Sequence, residues 1–299
     1  MTALNGQSLR PQPQDEQVHN SEATKSRSNV IIDMFMYNGE PIVGWRLELL
    51  HDVVHEFVIV ESLASFSLKR VRQHHFSEEH VDLFEPYKHK ITFLRIDRYP
   101  DMSDTSQKAT WEREAYARNY ATDYLMKKYD PNRTIVVSSD ADEIWNPEIT
   151  NDLWDMLGQS AGPVALALDF FHYNFLWHTK EGKWTHSKAV NLESLTRDNT
   201  TFQSIRPHNA QYLTLPSAGW HCTYFLSVRD IAHKLVSFSH QELNKRTFKN
   251  PRHVWESIML GRDLFNRKEF QLNLYENHQH LPTSWKGWQI KISSMQLDY

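Results

Sequence analysis

Thr134-Ile135-Val136-Val137-Ser138-Ser139-Asp140-Ala141-Asp142-Glu143 is the stretch on which the reading of this chain turns. Its first part is apolar, β-branched and free of alternation, the pattern of a short strand buried on both faces of a parallel sheet. Its second part sets two carboxylates, Asp140 and Asp142, one residue apart just past that strand. Ligands of open α/β sheets lie beyond the carboxyl ends of the strands, so function is to be sought there.

Upstream, Val30 to Tyr37 forms a second run, apolar apart from Asp33, and Phe57-Val58-Ile59-Val60 a third that stops at Glu61-Ser62. Between them Trp45, Leu49, Leu50, Val53 and Val54 recur at helical spacing. Ile91 to Ile96 reads as another strand, and about Gln107 to Tyr129 as one helix with Trp111, Ala115, Tyr116 and Tyr120 available for packing. Asn146-Pro147-Glu148 has the cap, the first-position proline and the acidic first turn of a helix start, with Gly158 placed to end that helix. Val164 to Phe171, Ala189-Val190 and Trp220 to Leu226 are further strands, and Val228 to Val236 a further helix. Strands alternating with helices predict an α/β fold with a mainly parallel, right-handed βαβ sheet flanked by helices. No linker interrupts it, so a single domain is expected over 29–299. Residues 1–28, rich in Gln, Ser, Asn and Pro, carry too little apolar surface to offset ordering and are expected to be a disordered tail.

The formal net charge of -4 offers no basic footprint for nucleic acid or an anionic membrane. Cys222 is the sole cysteine, which excludes an intrachain disulfide and a cysteine-rich zinc module. No run approaches the roughly 18 apolar residues of a membrane span, and the first 28 residues lack the apolar core of a signal peptide. By sequence the chain reads as soluble, with its compartment unassigned. Ten Trp, twelve Tyr and fifteen Phe suit the docking of sugar faces on aromatic planes, although most aromatics simply fill a core.

Asp140 and Asp142, on a turn rather than a regular strand, can both reach one hard divalent cation whose other ligands are water and diphosphate oxygens. The competing reading is a solvated turn ahead of the helix near Asn146. Glu61 can accept hydrogen bonds from a base or ribose, or face water at its strand end. Arg113 or Arg118 can fork onto a diphosphate, while Glu114 with Arg118 also makes an ordinary i, i+4 pair. His221, opening an apolar run after Pro216, can complete a metal site with Asp140 and Asp142 or be a buried structural histidine. His240 and Glu242 follow a helix and can supply a general base; solvated helix-end residues would look the same.

Several spaced segments together resemble glycosyltransferase family 17, the group containing β-1,4-mannosyl-glycoprotein 4-β-N-acetylglucosaminyltransferase. They are Ile32 to Phe35 with Tyr37-Asn38-Gly39-Glu40 and Arg46 to Leu49; Phe57 to Ser62; Trp111 to Glu114 with Arg118-Asn119; Ser139 to Ile144; Phe171 to Asn174; Gly219 to Cys222; and Lys234 through His240 to Glu242. The resemblance covers about 30–244 and leaves 245–299 unmatched. It departs at Ser65 to Arg70, where the family usually has Gly and Pro, and in the absence of the N-terminal membrane anchor of the animal Golgi members.

The resemblance implies a GT-A-type, Rossmann-like fold and an inverting, metal-dependent hexosyltransferase. Its donor would be a nucleotide sugar such as UDP-N-acetylglucosamine, and its acceptor a glycan or glycoprotein, for example the β-mannose of an N-glycan core. Mn²⁺ or Mg²⁺ would be held by Asp140, Asp142 and His221. Asn38, Glu40, Glu61, Arg113 and Asp140 would bind the donor, and Glu242, ahead of His240, would take the acceptor proton. Two rival readings stay open: a metal-dependent phosphohydrolase, disfavoured because Glu143 follows the acidic pair, and a non-catalytic carbohydrate-binding protein, which would have no need of that pair together with Arg113.

Overall fold

Along Val30–Tyr37 the side chains alternate between two apolar layers. Ile31, Phe35 and Tyr37 enter one, and Val30, Ile32, Met34 and Met36 the other, so the run has to be apolar wherever no buried partner is supplied, as one is for Asp33. In the computed structural model of the protein, which describes residues 29–179, 183–207, 211–268 and 270–297, this run is β1 (Val30–Tyr37). It lies between β2 (Glu56–Ser62) and β4 (Thr134–Asp140), parallel to both, with β3 (Ile91–Ile96) parallel beyond β2. The register sets Met36 opposite Asp140 and Tyr37 opposite Glu61, so three strands end on one edge.

The helix Val43–Leu50 packs Val43, Leu47 and Leu50 into the first layer, and the helices Gln107–Asn119 and Thr122–Lys128 pack Ala117 and Leu125 into the second. The single helix expected over 107–129 is thus two, separated at Tyr120-Ala121. The start near Asn146 is a 3₁₀ turn capped by the Asn146 side chain, followed by the helix Thr150–Gln159, which runs one residue past Gly158. The helix Val228–Ser237 begins on a Ser227 cap.

The second half builds β5 (Glu143–Trp145), β6 (Val164–His172), β7 (Trp177–Thr179), β8 (Lys188–Asn191), β9 (Leu213–Thr223) and β10 (Leu272–Leu274). The strand order is β10-β7-β6-β8-β4-β1-β2-β3, and β9 pairs with both β6 and β5. Parallel pairing dominates β1 to β4, where strands alternate with helices. β8 and β7 are antiparallel to their neighbours, and β9 runs parallel to β6 and antiparallel to β5. The fold is α/β, a large central sheet flanked by helices. Gly219 (φ 145°) lets β9 approach β5 closely, since a Cβ there would lie 2.2 Å from the Ile144 carbonyl oxygen. That pairing sets His221 opposite Glu143.

The stretch past residue 244 belongs to the same body. The helix Pro251–Leu260 contributes Val254 and Ile258 to a core with Ile231 and Leu235. The helix Trp285–Leu297 returns to the helix Val43–Leu50, where Trp288 donates to Glu48 (2.8 Å). The expected tail, 1–28, lies outside the described residues. Among the described residues no helix is long and apolar enough to cross a membrane.

Candidate active site

The acidic turn is fastened from beneath by a residue on another element. Arg46, fully buried on the helix Val43–Leu50, forks onto Asp33 of β1 through Nε and Nη2, each at 2.7 Å. Its remaining donors go to the turn: Nη2 to Ser139 Oγ (2.6 Å), and Nη1 to the carbonyls of Asp140 (2.7 Å) and Glu143 (3.0 Å). Trp145 Nε1 also donates to Asp33, at 3.1 Å. A guanidinium is the one side chain with enough rigidly forked donors for this arrangement. Asp140 and Asp142 therefore leave the end of β4 in a defined conformation.

The two carboxylates face different partners. Asp140 accepts from Arg118 (2.9 Å) and from Arg206, and its backbone N–H donates to Glu143 Oε2 (2.9 Å). Glu143 also accepts from Trp184 Nε1 (2.6 Å), Ser187 Oγ (2.7 Å) and Arg206. Burial by itself would raise Glu143, but the Arg206 guanidinium outweighs it and holds the carboxyl well below its ordinary range. Asp142 faces the other way, with Oδ2 2.9 Å from Lys234 Nζ and Oδ1 3.6 Å from His221 Nε2. There too burial opposes ionisation, and Lys234 with His221 overcomes it, so Asp142 lies far below the usual carboxylate range.

Lys234 lines a cleft of about 450 Å³ at the ends of β1 and β2. Asn38, Gly39 and Glu40 form one wall, Ser62 to Phe66 another, and the helix Val228–Ser237 a third through Asp230, His233 and Lys234. Arg70, Arg72 and the Phe76 ring complete the rim. Glu40 accepts from the Asn38 N–H (2.9 Å) and lies 3.8 Å from Lys234; burial and the nearby Asp142 charge raise its pKa despite that ammonium. A second, more polar cleft of about 810 Å³ is lined by Asp169, Lys183, Trp220 and Tyr275 among others.

Of the expected donor residues, Asn38 and Glu40 line the first cleft, whereas Glu61 and Arg113 are committed elsewhere. Glu61 accepts from the Ser77 N–H (3.0 Å), the Ser77 hydroxyl and Arg95 Nε (3.1 Å), which anchors the short helix Phe76–Glu79. Arg113 donates to the carbonyls of Phe66 (2.6 Å) and Asp104 (2.8 Å) and so ties two loops together. His240 and Glu242 pair with each other (2.7 Å) on the turn after the helix Val228–Ser237, both more than half exposed. Arg46, Arg206 and Lys234 had no role assigned from sequence. Arg46 and Lys234 stand inside the family-like segments, which was a signal for them; Arg206 had none.

Asp140, Asp142 and His221 do not converge as the three-ligand metal site expected from the sequence. Both Asp140 oxygens are taken by arginines, and among the described residues no group of three His, Cys, Asp or Glu side chains could hold a metal ion. Asp142 with His221 makes a two-donor seat. That suits a cation bound through one or two protein donors together with substrate phosphates and water. Two atoms beside the turn, Arg118 Nη1 and His221 Nδ1, are buried without a hydrogen-bond partner among the described residues, a rarity in folded proteins.

The model of glycosyltransferase family 17 matches residues 11–276. The chain belongs to glycosyltransferase family 17. The match extends past residue 244 and so takes in the helix Pro251–Leu260, part of the stretch without sequence resemblance above. No curated protein matches this family 17 chain significantly. Among solved structures it is similar to a Bacillus anthracis protein described as a glucose-1-phosphate thymidylyltransferase and crystallised with sucrose. Identity is 11%, with 60% of this chain and 78% of that chain covered and a TM-score of 0.33. A likeness that loose carries no weight for function.

Proposed function

We propose that this family 17 glycosyltransferase transfers N-acetylglucosamine from UDP-N-acetylglucosamine to a hydroxyl of a glycan acceptor such as the β-mannose of an N-glycan core, with inversion at the anomeric carbon. The observation that carries the reading is the Asp142–His221 pair, joined through Lys234 to a cleft built from the ends of parallel strands. In this reading the nucleotide lies between Asn38-Gly39 and Ser62 to Phe66, and its diphosphate points toward Lys234. Asp142 and His221 would hold a divalent cation, which when bound supplies positive charge to the departing diphosphate. Arg118 and Asp140, held to each other beside the turn, hydrogen-bond the donor sugar, with Arg118 Nη1 as the donor that still needs an acceptor. The acceptor hydroxyl attacks the anomeric carbon as the bond to the diphosphate oxygen breaks, and its proton passes to the His240–Glu242 pair, Glu242 being the first choice.

The reading is tested by incubating the protein with UDP-N-acetylglucosamine and Mn²⁺, with and without glycan acceptors ending in β-mannose, and following UDP release. Cation-dependent UDP release that is lost in Asp142→Asn supports it. No release from any nucleotide sugar, or release of inorganic phosphate from simple phosphoesters, contradicts it.

A further inference from the structure

Lys234 reaches the acidic turn from the wall of the cleft. Its Nζ is 2.9 Å from Asp142 Oδ2 and 3.8 Å from Glu40 Oε1. The side chain is 24% exposed, against 7% for Asp142 and 9% for Glu40, so Lys234 is the most exposed of the three, and it lines the cleft. The helix that carries it is anchored by Val228, Ile231 and Leu235, all buried, which leaves the four-carbon stem of Lys234 as the part free to reorient.

An ion seated on Asp142 and His221 would need the carboxylate that Lys234 holds. Two cations a few ångströms apart at a buried carboxylate repel each other strongly, because the local dielectric is low. We infer that Lys234 is a latch on this seat: in the donor-free protein its ammonium occupies Asp142, and it moves to the diphosphate when donor and cation enter together. The inference rests on the donor site proposed above. An ion arriving alone must displace a hydrogen-bonded ammonium and leave it with Glu40, 3.8 Å away and already accepting from the Asn38 N–H. With a nucleoside diphosphate in the cleft, Lys234 exchanges one anion for another and the displacement costs little. The consequence is coupled binding, in which the protein takes the cation weakly until the diphosphate is present.

The test is Mn²⁺ binding to the full chain without nucleotide, followed by paramagnetic resonance of free Mn²⁺, and UDP binding with Mn²⁺, followed by calorimetry. Lys234→Met is expected to bind Mn²⁺ alone about tenfold or more tighter than wild type, the lower end of what a buried charge pair couples. That gain should vanish in Lys234→Met combined with Asp142→Asn. UDP in the presence of Mn²⁺ should bind Lys234→Met about tenfold more weakly. Lys234→Gln, which can still donate to Asp142 and so protects folding, should move both affinities in the same directions, and its melting temperature shows that it is folded. Unchanged Mn²⁺ affinity in both Lys234 variants, or unchanged UDP–Mn²⁺ affinity, overturns the latch and leaves the donor site standing. Wild-type protein that binds no UDP with or without Mn²⁺ overturns the donor site and the latch with it.

Discussion

Removing Arg46 should destabilise the protein severely, because that single guanidinium serves both a buried acid and the acidic turn. In Arg46→Met, Asp33 keeps the Trp145 N–H at 3.1 Å but loses its forked cation, and both side chains of the pair are wholly buried. Stranding a buried charge in this way costs about 3–5 kcal/mol. The Asp140 and Glu143 carbonyls lose a charged donor as well, each worth about 1 kcal/mol or more net. Urea unfolding of Arg46→Met should therefore show a loss of at least about 3 kcal/mol. Neutralising the stranded acid in the double variant Asp33→Asn/Arg46→Met should recover about 1–2 kcal/mol of it, since contacting residues couple by this much. A single variant that loses less than about 1 kcal/mol, or a double variant no more stable than the single, would refute the idea that the Asp33–Arg46 pair anchors the turn.

Arg113→Ala should lower stability by about 1–3 kcal/mol, through the unmet Phe66 and Asp104 carbonyls, and leave UDP affinity unchanged in calorimetry; a large loss of affinity would return Arg113 to the donor site. Glu242→Gln should lower kcat about a hundredfold or more with little change in UDP affinity, and an active Glu242→Gln enzyme would move the base elsewhere, Asp169 being the next residue to test. Lys188, buried on β8, has its amine pushed down to about 8 by burial and by Arg206. In the unfolded chain it titrates near about 10.4. The unfolded state then binds more protons between these values, so stability should rise with pH across that window. Urea unfolding at pH 7.5 and 9.5 should show a gain of about 1–2 kcal/mol that disappears in Lys188→Met; equal pH dependence in the two proteins would contradict the assignment.

What could be read from the sequence followed from burial. β1, β2 and β4 are buried on both faces, and that requirement writes itself into largely apolar runs, broken in β1 by the paired Asp33, whose last residues stand at the ligand edge. Asp140, Asp142, Asn38 and Glu40 could be placed at strand ends for this reason. The partners that divide the two aspartates were hidden, because Arg206 and Lys234 come from 66 and 92 residues away and no local pattern reports a tertiary meeting. The loop contacts of Arg113 were hidden for a chemical reason: a guanidinium that binds loop carbonyls and one that binds a diphosphate are the same residue in a sequence, and only geometry separates them. The Ser77 contacts of Glu61 were hidden similarly, since a strand-end carboxylate serves a ribose or a neighbouring Ser77 equally well. The break at Tyr120-Ala121 left no proline or glycine to announce it.

In the proposed function, the cleft that Lys234 lines binds a nucleoside diphosphate together with a divalent cation seated on Asp142. Calorimetric titration of UDP into the full chain, with Mn²⁺ and then with EDTA, tests it most directly. UDP affinity should fall by about tenfold or more, or about 1.4 kcal/mol, when the cation is removed, and Asp142→Asn should lose as much with Mn²⁺ present. UDP affinity indifferent to EDTA, or an Asp142→Asn protein that binds UDP and Mn²⁺ as wild type does, would contradict it.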